Sequence, residues 1–266
     1  TAVKRYPISI QWPPDPELVS TPVDECRNEV RERHHLPLAQ KIGIGVDRLD
    51  YTKGIEERLR AVERMFETHP EWIGKFTFIQ IAAPTRASIE DYQNYEQRVR
   101  SLVTRINARF ASDDNPAIIL LVEHHEPVDV YRYYRAADVC FVSSLHDGMN
   151  LVAKEFVASR DDESGVLILS QFTGAARELP EALIVNPYDA EQSASALNIA
   201  LTMPRAWQKT RMQLMRSLVR EFNVFRWAGR MLIEAAAIRR RGKVVDRSAA
   251  LIGAREPSIG SRAGSA

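Results

Sequence analysis

The sequence predicts an α/β protein built on a doubly wound parallel sheet. Short apolar runs alternate with longer segments of helical spacing, and an apolar fraction of 45% over 266 residues is ample for a core. The predicted strands are Ile42 to Val46, Phe76 to Ala82, Ala117 to Val122, Val139 to Ser143, Val166 to Ser170 and Leu183 to Val185. Between them, Ile55 to Thr68 and Ile89 to Phe110 repeat apolar residues every three or four positions, as helices covering a sheet do.

The two ends of the chain differ from this pattern. Five prolines lie within residues 1–22, and proline fixes φ and lacks a backbone donor, so we predict a linker there and not the start of a domain. Residues 23–240 are predicted to form one α/β domain. Residues 241–266 are poor in large apolar side chains and cannot offset the entropy lost on ordering, so we predict a disordered tail.

Composition restricts the classes of partner. Lys and Arg number 36 against 35 Asp and Glu, which argues against nucleic acid as a partner. The longest apolar runs are far below the roughly 20 residues needed to span a membrane. Two cysteines, Cys26 and Cys140, do not make a disulfide framework, which favours a reducing compartment. We therefore predict a soluble cytoplasmic protein.

Polar side chains follow each of the first five predicted strands. Parallel strands deliver these loops to one edge of the sheet, so the sequence predicts a single site there. The residues are Asp47, Arg48, Asp50 and Lys53 after the first strand, Pro84, Thr85 and Arg86 after the second, Glu123, His124, His125 and Glu126 after the third, His146, Asp147, Gly148, Met149, Asn150 and Glu155 after the fourth, and Gln171, Thr173 and Gly174 after the fifth.

Arg48 and Lys53 follow the first strand in GVDRLDYTKG, and two fixed positive charges there suit a diphosphate. Gly43 and Gly45 begin a G-x-G-x-x-G spacing, but Arg48 replaces the third glycine, so this is not a dinucleotide fingerprint. Lys53 precedes a helix whose N-terminus also favours anions. The alternative is that Arg48 pairs with Asp50 on a solvated loop.

The segment DGMNLVAKE predicts a tight turn at Gly148, a cap at Asn150 and a helix with free first-turn amides. Asp147, just before that helix, is suited to accept hydrogen bonds from sugar hydroxyls. Glu155, in its second turn, is suited to the two hydroxyls of a ribose. The alternative is that both acids only complement the helix dipole.

Other polar residues give weaker signals. Arg86 shares the predicted edge and would suit a second anionic group. His124 and His125 are adjacent and not four residues apart, so we predict no metal site. His146 beside Asp147 is a weak acid or base candidate, and the neighbouring serines lack the G-x-S-x-G frame of a hydrolase.

Several segments together resemble the carboxyl-terminal half of the trehalose-6-phosphate synthase family, in order and spacing, from about Tyr6 to Ala237. They are GVDRLDYTKGI, QIAAPTRASIEDYQ, RINARF, YRAADVCFVSSLHDGMNLVAKEF, GVLILSQFTGAARELPEALIVNPYD and ALTMP. The family consists of retaining glycosyltransferases of the GT-B architecture, with two Rossmann-like domains facing across a cleft. The resemblance implies glucosyl transfer from UDP-glucose to glucose 6-phosphate, with residues 23–240 as the nucleotide-sugar-binding Rossmann-like domain.

The resemblance also implies roles for individual residues. Arg48, Lys53 and Asp147 would carry catalysis, the two cations on the donor diphosphate and Asp147 on the transferred glucose. His125 would meet uracil through its main chain, and Arg86 would bind the acceptor phosphate. The remaining implied donor contacts are Gly148, Met149, Asn150, Leu151, Val152, Ala153, Lys154 and Glu155. UDP-glucose is a co-substrate, and neither a cofactor nor a metal is expected, since the cations stabilise the leaving UDP.

Three departures from the family pattern affect these expectations. By the resemblance, residues 1–22 are the proline-rich inter-domain crossover, so the amino-terminal GT-B domain is expected as a missing partner, and little transfer is expected without it. His146 stands where the family usually has arginine. PISIQW stands where the family commonly has PIGID. Homo-oligomer formation is left open.

Two other hypotheses remain open from the sequence. One is a noncatalytic nucleotide-sugar-binding protein or partner subunit that docks through the aromatic-rich helix from Phe222 to Leu232. The other is a related transferase that uses another nucleotide donor or a cyclitol acceptor on the same scaffold.

Overall fold

In the computed structural model, the described residues are 3–85, 89–112 and 115–253. They divide into two compact units. The larger unit is Pro7–Val224. The smaller combines the described residues before Pro7 with those after Val224, and within it the hydroxyl of Tyr6 donates to Glu234 Oε2 at 2.7 Å.

Six parallel strands form the sheet of the larger unit, in the order β3-β2-β1-β4-β5-β6. They are β1 Lys41–Arg48, β2 Phe76–Ala83, β3 Ile118–Leu121, β4 Val139–Val142, β5 Val166–Ser170 and β6 Leu183–Val185. The predicted doubly wound parallel sheet is confirmed. The strand order reverses between β1 and β4, and open sheets of this kind bind ligands beyond the carboxyl ends of the strands at that point.

Helices cover both faces of the sheet. The helices of the larger unit are α1 Val23–Arg33, α2 Ile55–Thr68, α3 Glu90–Phe110, α4 Pro127–Ala136, α5 Leu151–Ser159, α6 Ala190–Thr202 and α7 Arg205–Glu221. The helix α8, Val224–Gly253, belongs almost entirely to the smaller unit. One core cluster packs α2, α3 and α6 against the sheet, and the other packs mainly α4, α5 and α7. Both faces are apolar, which explains why the strands are nearly continuous hydrophobic runs.

The two glycines of β1 leave space for neighbouring side chains in the core. A Cβ at Gly43 would lie 2.6 Å from the Phe78 ring, and a Cβ at Gly45 would lie 2.3 Å from Nη1 of Arg58. Both positions therefore need a residue without a side chain. This agrees with the interpretation that these glycines are not a dinucleotide fingerprint.

The ends of the chain can be compared with the predicted boundaries. Before α1, the described residues hold only a 3₁₀ turn at Pro16–Val19, and Ile10 and Trp12 pack against the core of the larger unit. The backbone of α8 is helical to Gly253, past the predicted tail boundary at residue 240. Residues 254–266, the rest of that tail, lie outside the described residues. Among the described helices, none is both long enough and apolar enough to cross a bilayer.

Candidate functional site

The β1–α2 loop and the β4–α5 loop are tied together beyond the carboxyl ends of the strands. The N–H of Leu145 donates to the carbonyl of Thr52 at 2.8 Å, and the hydroxyl of Ser143 donates to the carbonyl of Gly54 at 2.7 Å. Gly54 has a φ of 63°, and a Cβ there would lie 2.2 Å from the carbonyl oxygen of Ser143. Glycine is required both by the backbone conformation and by the close approach. The two loops therefore hold each other in a fixed register.

Lys53 and Asp147 form an ion pair between these two loops. Nζ of Lys53 lies 2.7 Å from Oδ2 of Asp147, and their side chains are 17% and 16% exposed. Asp147 also accepts from the N–H of Met149 and from Nδ2 of Asn150, both at 3.2 Å. Burial alone would raise the pKa of Asp147, but the hydrogen bond and charge of Lys53, with those two further donors, hold it below its usual value. The carboxylate is therefore ionised and already oriented.

Asn150 starts α5, as the sequence predicts. Its side-chain oxygen accepts from the N–H of Ala153 at 3.0 Å, and its backbone has a φ of 77°, a left-handed conformation that asparagine tolerates. Leu151 and Val152, in the first turn, are partly exposed. The positive end of this nine-residue helix therefore adjoins the Lys53–Asp147 pair.

A third loop, after β5, packs directly on this turn. The N–H of Gly174 donates to the carbonyl of Asp147 at 3.0 Å, and Asp147 forms a parallel bridge with Thr173. A Cβ at Gly174 would lie 2.0 Å from the carbonyl oxygen of Gly148. The loops after β1, β4 and β5 thus meet, as the parallel topology predicts.

Arg48 is exposed at the end of β1, and its guanidinium makes no hydrogen bond or ion pair within the part of the chain that the structure describes. The carboxylate of Asp50 instead caps the following turn, accepting from the N–H of Thr52 at 2.9 Å and from its hydroxyl at 2.7 Å. The alternative of an Arg48–Asp50 pair is therefore not what the structure shows. The Arg48 guanidinium therefore has no partner among the described residues.

Asp47 and Arg58 form a buried pair beneath the site. Nη2 of Arg58 donates to Oδ2 of Asp47 at 2.7 Å, and Nη1 donates to Oε1 of Gln80 at 2.7 Å. Burial raises the pKa of Asp47, and the Arg58 charge opposes that rise. Nη2 also lies 3.5 Å from the carbonyl of Lys53. Asp47, which the sequence placed among the residues at the sheet edge, therefore points into the protein and supports the loop from below.

Glu155 and His125 lie on the side of the site next to α4. The hydroxyl of Tyr134 donates to Oε2 of Glu155 at 3.2 Å; burial raises the pKa of Glu155, and this hydrogen bond opposes the rise. The His125 side chain is 8% exposed and its ring meets Tyr133 edge-on, with centroids 5.8 Å apart. An inward-facing ring is compatible with a ligand contact made by the main chain of His125.

Lys154 faces away from the other predicted donor contacts. It is 1% exposed, and its Nζ donates to the carbonyl of Ile8 at 2.9 Å and to Oε2 of Glu178 at 2.8 Å. Its side chain therefore attaches the crossover segment to α5. Arg86, predicted to bind an acceptor phosphate, lies outside the described residues.

Arg58, Ser143 and Tyr134 support the site, but sequence reasoning did not identify their roles. A signal for Arg58 was present, since it lies three residues after Ile55 and four before Val62, on the apolar face of α2. Ser143 was considered only as a nucleophile, whereas its hydroxyl bonds the neighbouring loop. Tyr134 lies in an aromatic run of α4 and has no spacing that predicts its contact.

The described residues contain no group of three or more His, Cys, Asp or Glu side chains placed to hold a metal ion. The groups that this site offers to a ligand are the two cations, the Asp147 and Glu155 carboxylates and the first-turn amides of α5. This combination suits a molecule that has both a phosphate group and several hydroxyls.

Comparison with known protein families gives one match over most of the chain. The model of glycosyltransferase family 20 matches residues 1–237. A curated relative, the UDP-forming α,α-trehalose-phosphate synthase of Pichia angusta, is 37% identical over 237 residues, which cover 89% of this chain and 50% of the relative.

Solved structures give the same result. The UDP-forming α,α-trehalose-phosphate synthase of Burkholderia xenovorans, in complex with glucose-6-phosphate, aligns with a TM-score of 0.79 and 39% identity over 86% of this chain and 50% of that one. An E. coli structure bound with UDP-2-fluoro glucose aligns with a TM-score of 0.80 and 35% identity over 86% of this chain and 50% of that one. The chain spans about half the length of the relatives it matches.

Proposed function

The chain belongs to glycosyltransferase family 20, and from this premise we propose that it supplies the donor-binding half of a UDP-forming α,α-trehalose-phosphate synthase. The reaction transfers glucose from UDP-glucose to glucose 6-phosphate, with retention at the anomeric carbon, and releases UDP. The observation that carries this proposal is the Lys53–Asp147 pair, which lies at the point where the strand order reverses and beside the start of α5.

We propose that the donor diphosphate binds Arg48 and Lys53. Arg48 offers a planar fork of donors that matches phosphate oxygens, and Lys53 adds a compact charge 2.7 Å from Asp147. A diphosphate would compete with Asp147 for Lys53. Asp147 would then be available to accept hydrogen bonds from the glucose hydroxyls. Donor binding thus gives Lys53 a phosphate in place of Asp147, while the Asp147 carboxylate keeps the Met149 and Asn150 donors and gains the sugar hydroxyls.

The two cations also suit the chemical step. As the glycosidic bond breaks, negative charge grows on the departing UDP while the sugar becomes oxocarbenium-like. Arg48 and Lys53, fixed before the reaction, stabilise that charge more in the transition state than in the bound substrate. In this proposal the phosphate of the leaving group takes the proton of the acceptor hydroxyl, and neither a covalent nucleophile nor a metal is required.

The nucleoside is proposed to lie against α4 and α5. The first-turn amides of α5 suit the diphosphate, Glu155 accepts from the ribose hydroxyls, and the main chain of His125 meets the uracil. The acceptor glucose 6-phosphate would need further residues, Arg86 among them. We propose that the amino-terminal domain of a GT-B enzyme completes the cleft, so that transfer by this chain alone is weak. A cytoplasmic location and a homo-oligomer remain predictions.

Calorimetry with UDP at low salt tests the donor site. We expect the chain to bind UDP, and Arg48→Ala to weaken binding by about tenfold or more, as the loss of a charge-assisted phosphate contact does. Arg100→Ala is the matched control, because Arg100 is an exposed arginine on α3 that pairs with Glu96.

Competition with GDP and ADP determines the preferred base. Absence of UDP binding, or an Arg48→Ala variant that binds as the wild type does, would contradict the proposed donor site. Tighter binding of GDP or ADP would instead favour a related transferase with another donor.

A further inference from the structure

The Tyr134 hydroxyl is buried and directed at the carboxylate of Glu155. Tyr134 is 0% exposed, and its hydroxyl donates to Oε2 of Glu155 at 3.2 Å. Within the described part of the chain, this is the one hydrogen bond recorded for the Glu155 side chain. Glu155 itself is only partly buried, and its other oxygen, Oε1, makes no hydrogen bond with the described residues.

Packing fixes the position of that hydroxyl. The Tyr134 ring meets Tyr131 at a centroid distance of 5.7 Å and an angle of 67°, and it meets Phe156 at 6.3 Å and 78°. Both are edge-to-face arrangements, which restrict rotation of the ring. Phe156 follows Glu155 on α5, so the same contact joins the helix that carries the acid to the helix that carries the tyrosine.

From this geometry we propose that Tyr134 is a positioning residue, which holds the Glu155 carboxylate in the orientation that accepts the ribose hydroxyls of the donor. The inference rests on the proposed donor site and extends it by one residue. A glutamate side chain has three rotatable torsions, and fixing one oxygen before the ligand arrives lowers the entropy cost of binding. The hydrogen bond also stabilises the charged form of an acid that burial disfavours.

The contribution of the ribose hydroxyls to affinity distinguishes the two possible roles of Tyr134. If Tyr134 only stabilised the fold, its loss would not change that contribution. UDP has both hydroxyls and 2′,3′-dideoxy-UDP has neither, while the base and the diphosphate are the same. We therefore compare the two affinities by calorimetry for the whole chain and three variants. Tyr134→Phe removes only the hydroxyl, Glu155→Gln removes the charge that it orients, and Tyr131→Phe is the matched control on the same helix.

We expect the wild type to bind UDP more tightly than the dideoxy nucleotide. Tyr134→Phe should weaken UDP binding by about three- to tenfold and leave dideoxy binding unchanged, so the ratio of the two affinities falls. Tyr131→Phe should keep the wild-type ratio. In the Tyr134→Phe/Glu155→Gln double variant, the ratio should equal that of Glu155→Gln alone, because the tyrosine acts through the acid.

The outcomes separate this inference from the donor site itself. A wild-type chain that does not bind UDP contradicts the donor site. A wild type that prefers UDP, with a Tyr134→Phe variant that keeps the full preference, overturns the role of Tyr134 alone. If Tyr134→Phe lowers the melting temperature and weakens both nucleotides equally, the tyrosine is structural and the inference is also overturned.

Discussion

Lys53 and Asp147 are separated by 94 positions in the sequence, yet Nζ of one lies 2.7 Å from Oδ2 of the other. The pair joins the loop after β1 to the loop after β4, the two strands at which the sheet reverses its order. Both side chains are largely buried, and their opposite charges neutralise each other. In the proposed donor site, a negatively charged ligand therefore competes with Asp147 for Lys53.

This competition predicts that substitutions of Lys53 and of Asp147 change UDP affinity in opposite directions. Lys53→Met should weaken UDP binding by about tenfold or more, because a phosphate contact is lost. Asp147→Asn should strengthen it by about two- to tenfold, because the lysine no longer has a carboxylate partner. Calorimetry with UDP measures both, and weaker UDP binding by Asp147→Asn would contradict the exchange of partners.

The raised pKa of Glu155 predicts a pH dependence. The protonated acid is a weaker hydrogen-bond acceptor than the carboxylate, so UDP affinity should fall as the pH decreases through the Glu155 pKa. Since burial raises that pKa, the fall should begin above the usual value of 4.5. The Tyr134 hydroxyl opposes the rise. Tyr131 and Cys140 also lie near enough to feel the Glu155 charge, but burial raises the pKa of each, so both stay neutral in this range.

The measurement is UDP affinity between pH 4.5 and 7 for the wild type and for Glu155→Gln. Titration of the ligand phosphate is common to both proteins, so the difference between the two curves reports the acid. Identical curves would show that Glu155 does not control UDP binding in this range.

The same glycine-to-alanine change should have different effects on stability at two positions of the site, Gly54 and Gly148. Gly54→Ala should lower the free energy of unfolding by more than about 2 kcal/mol, because it places a side chain at positive φ and against the Ser143 carbonyl. Gly148→Ala, in the same site, has no heavy atom within 4 Å of the added Cβ and should change it by less than about 0.5 kcal/mol. Urea unfolding of both variants measures the difference, and equal losses would contradict the packing argument.

The Asp47–Arg58 pair predicts non-additive stability changes. Arg58→Met leaves a buried carboxylate without its partner and should cost about 3–5 kcal/mol, whereas Arg58→Met/Asp47→Asn should recover at least half of that loss. Arg64→Met, on the exposed face of the same helix, should cost less than about 1 kcal/mol. Additive losses in urea unfolding would mean that the two groups do not interact.

The convergence of loops was predictable because parallel strands deliver their carboxyl ends to one edge, and Lys53, Asp147 and Gly174 meet there. The direction in which each side chain points was harder to predict from the sequence. Asp47 was grouped with exposed loop residues, but it belongs to β1 and alternates inward. The contact between Tyr134 and Glu155 depends on how α4 and α5 pack, and a single sequence holds no local signal for that.

The direction of the Lys154 side chain was also not predictable from the sequence. Successive residues of a helix point about 100° apart, so the side chains of Lys154 and Glu155 leave α5 in different directions. The Lys154 ammonium donates hydrogen bonds to the carbonyl of Ile8 and to the carboxylate of Glu178. Lys154→Met should therefore affect the attachment of the crossover segment and not the nucleotide.

For Lys154→Met we expect faster amide hydrogen exchange around Ile10 and Trp12, because the crossover loses its anchor on α5. UDP affinity should change by less than about threefold, since the side chain makes no contact on the ligand side. Lys209→Met is the matched control, because Lys209 is an exposed lysine on α7 that should affect neither quantity. A large loss of UDP affinity with unchanged exchange in the crossover would instead place Lys154 among the donor contacts.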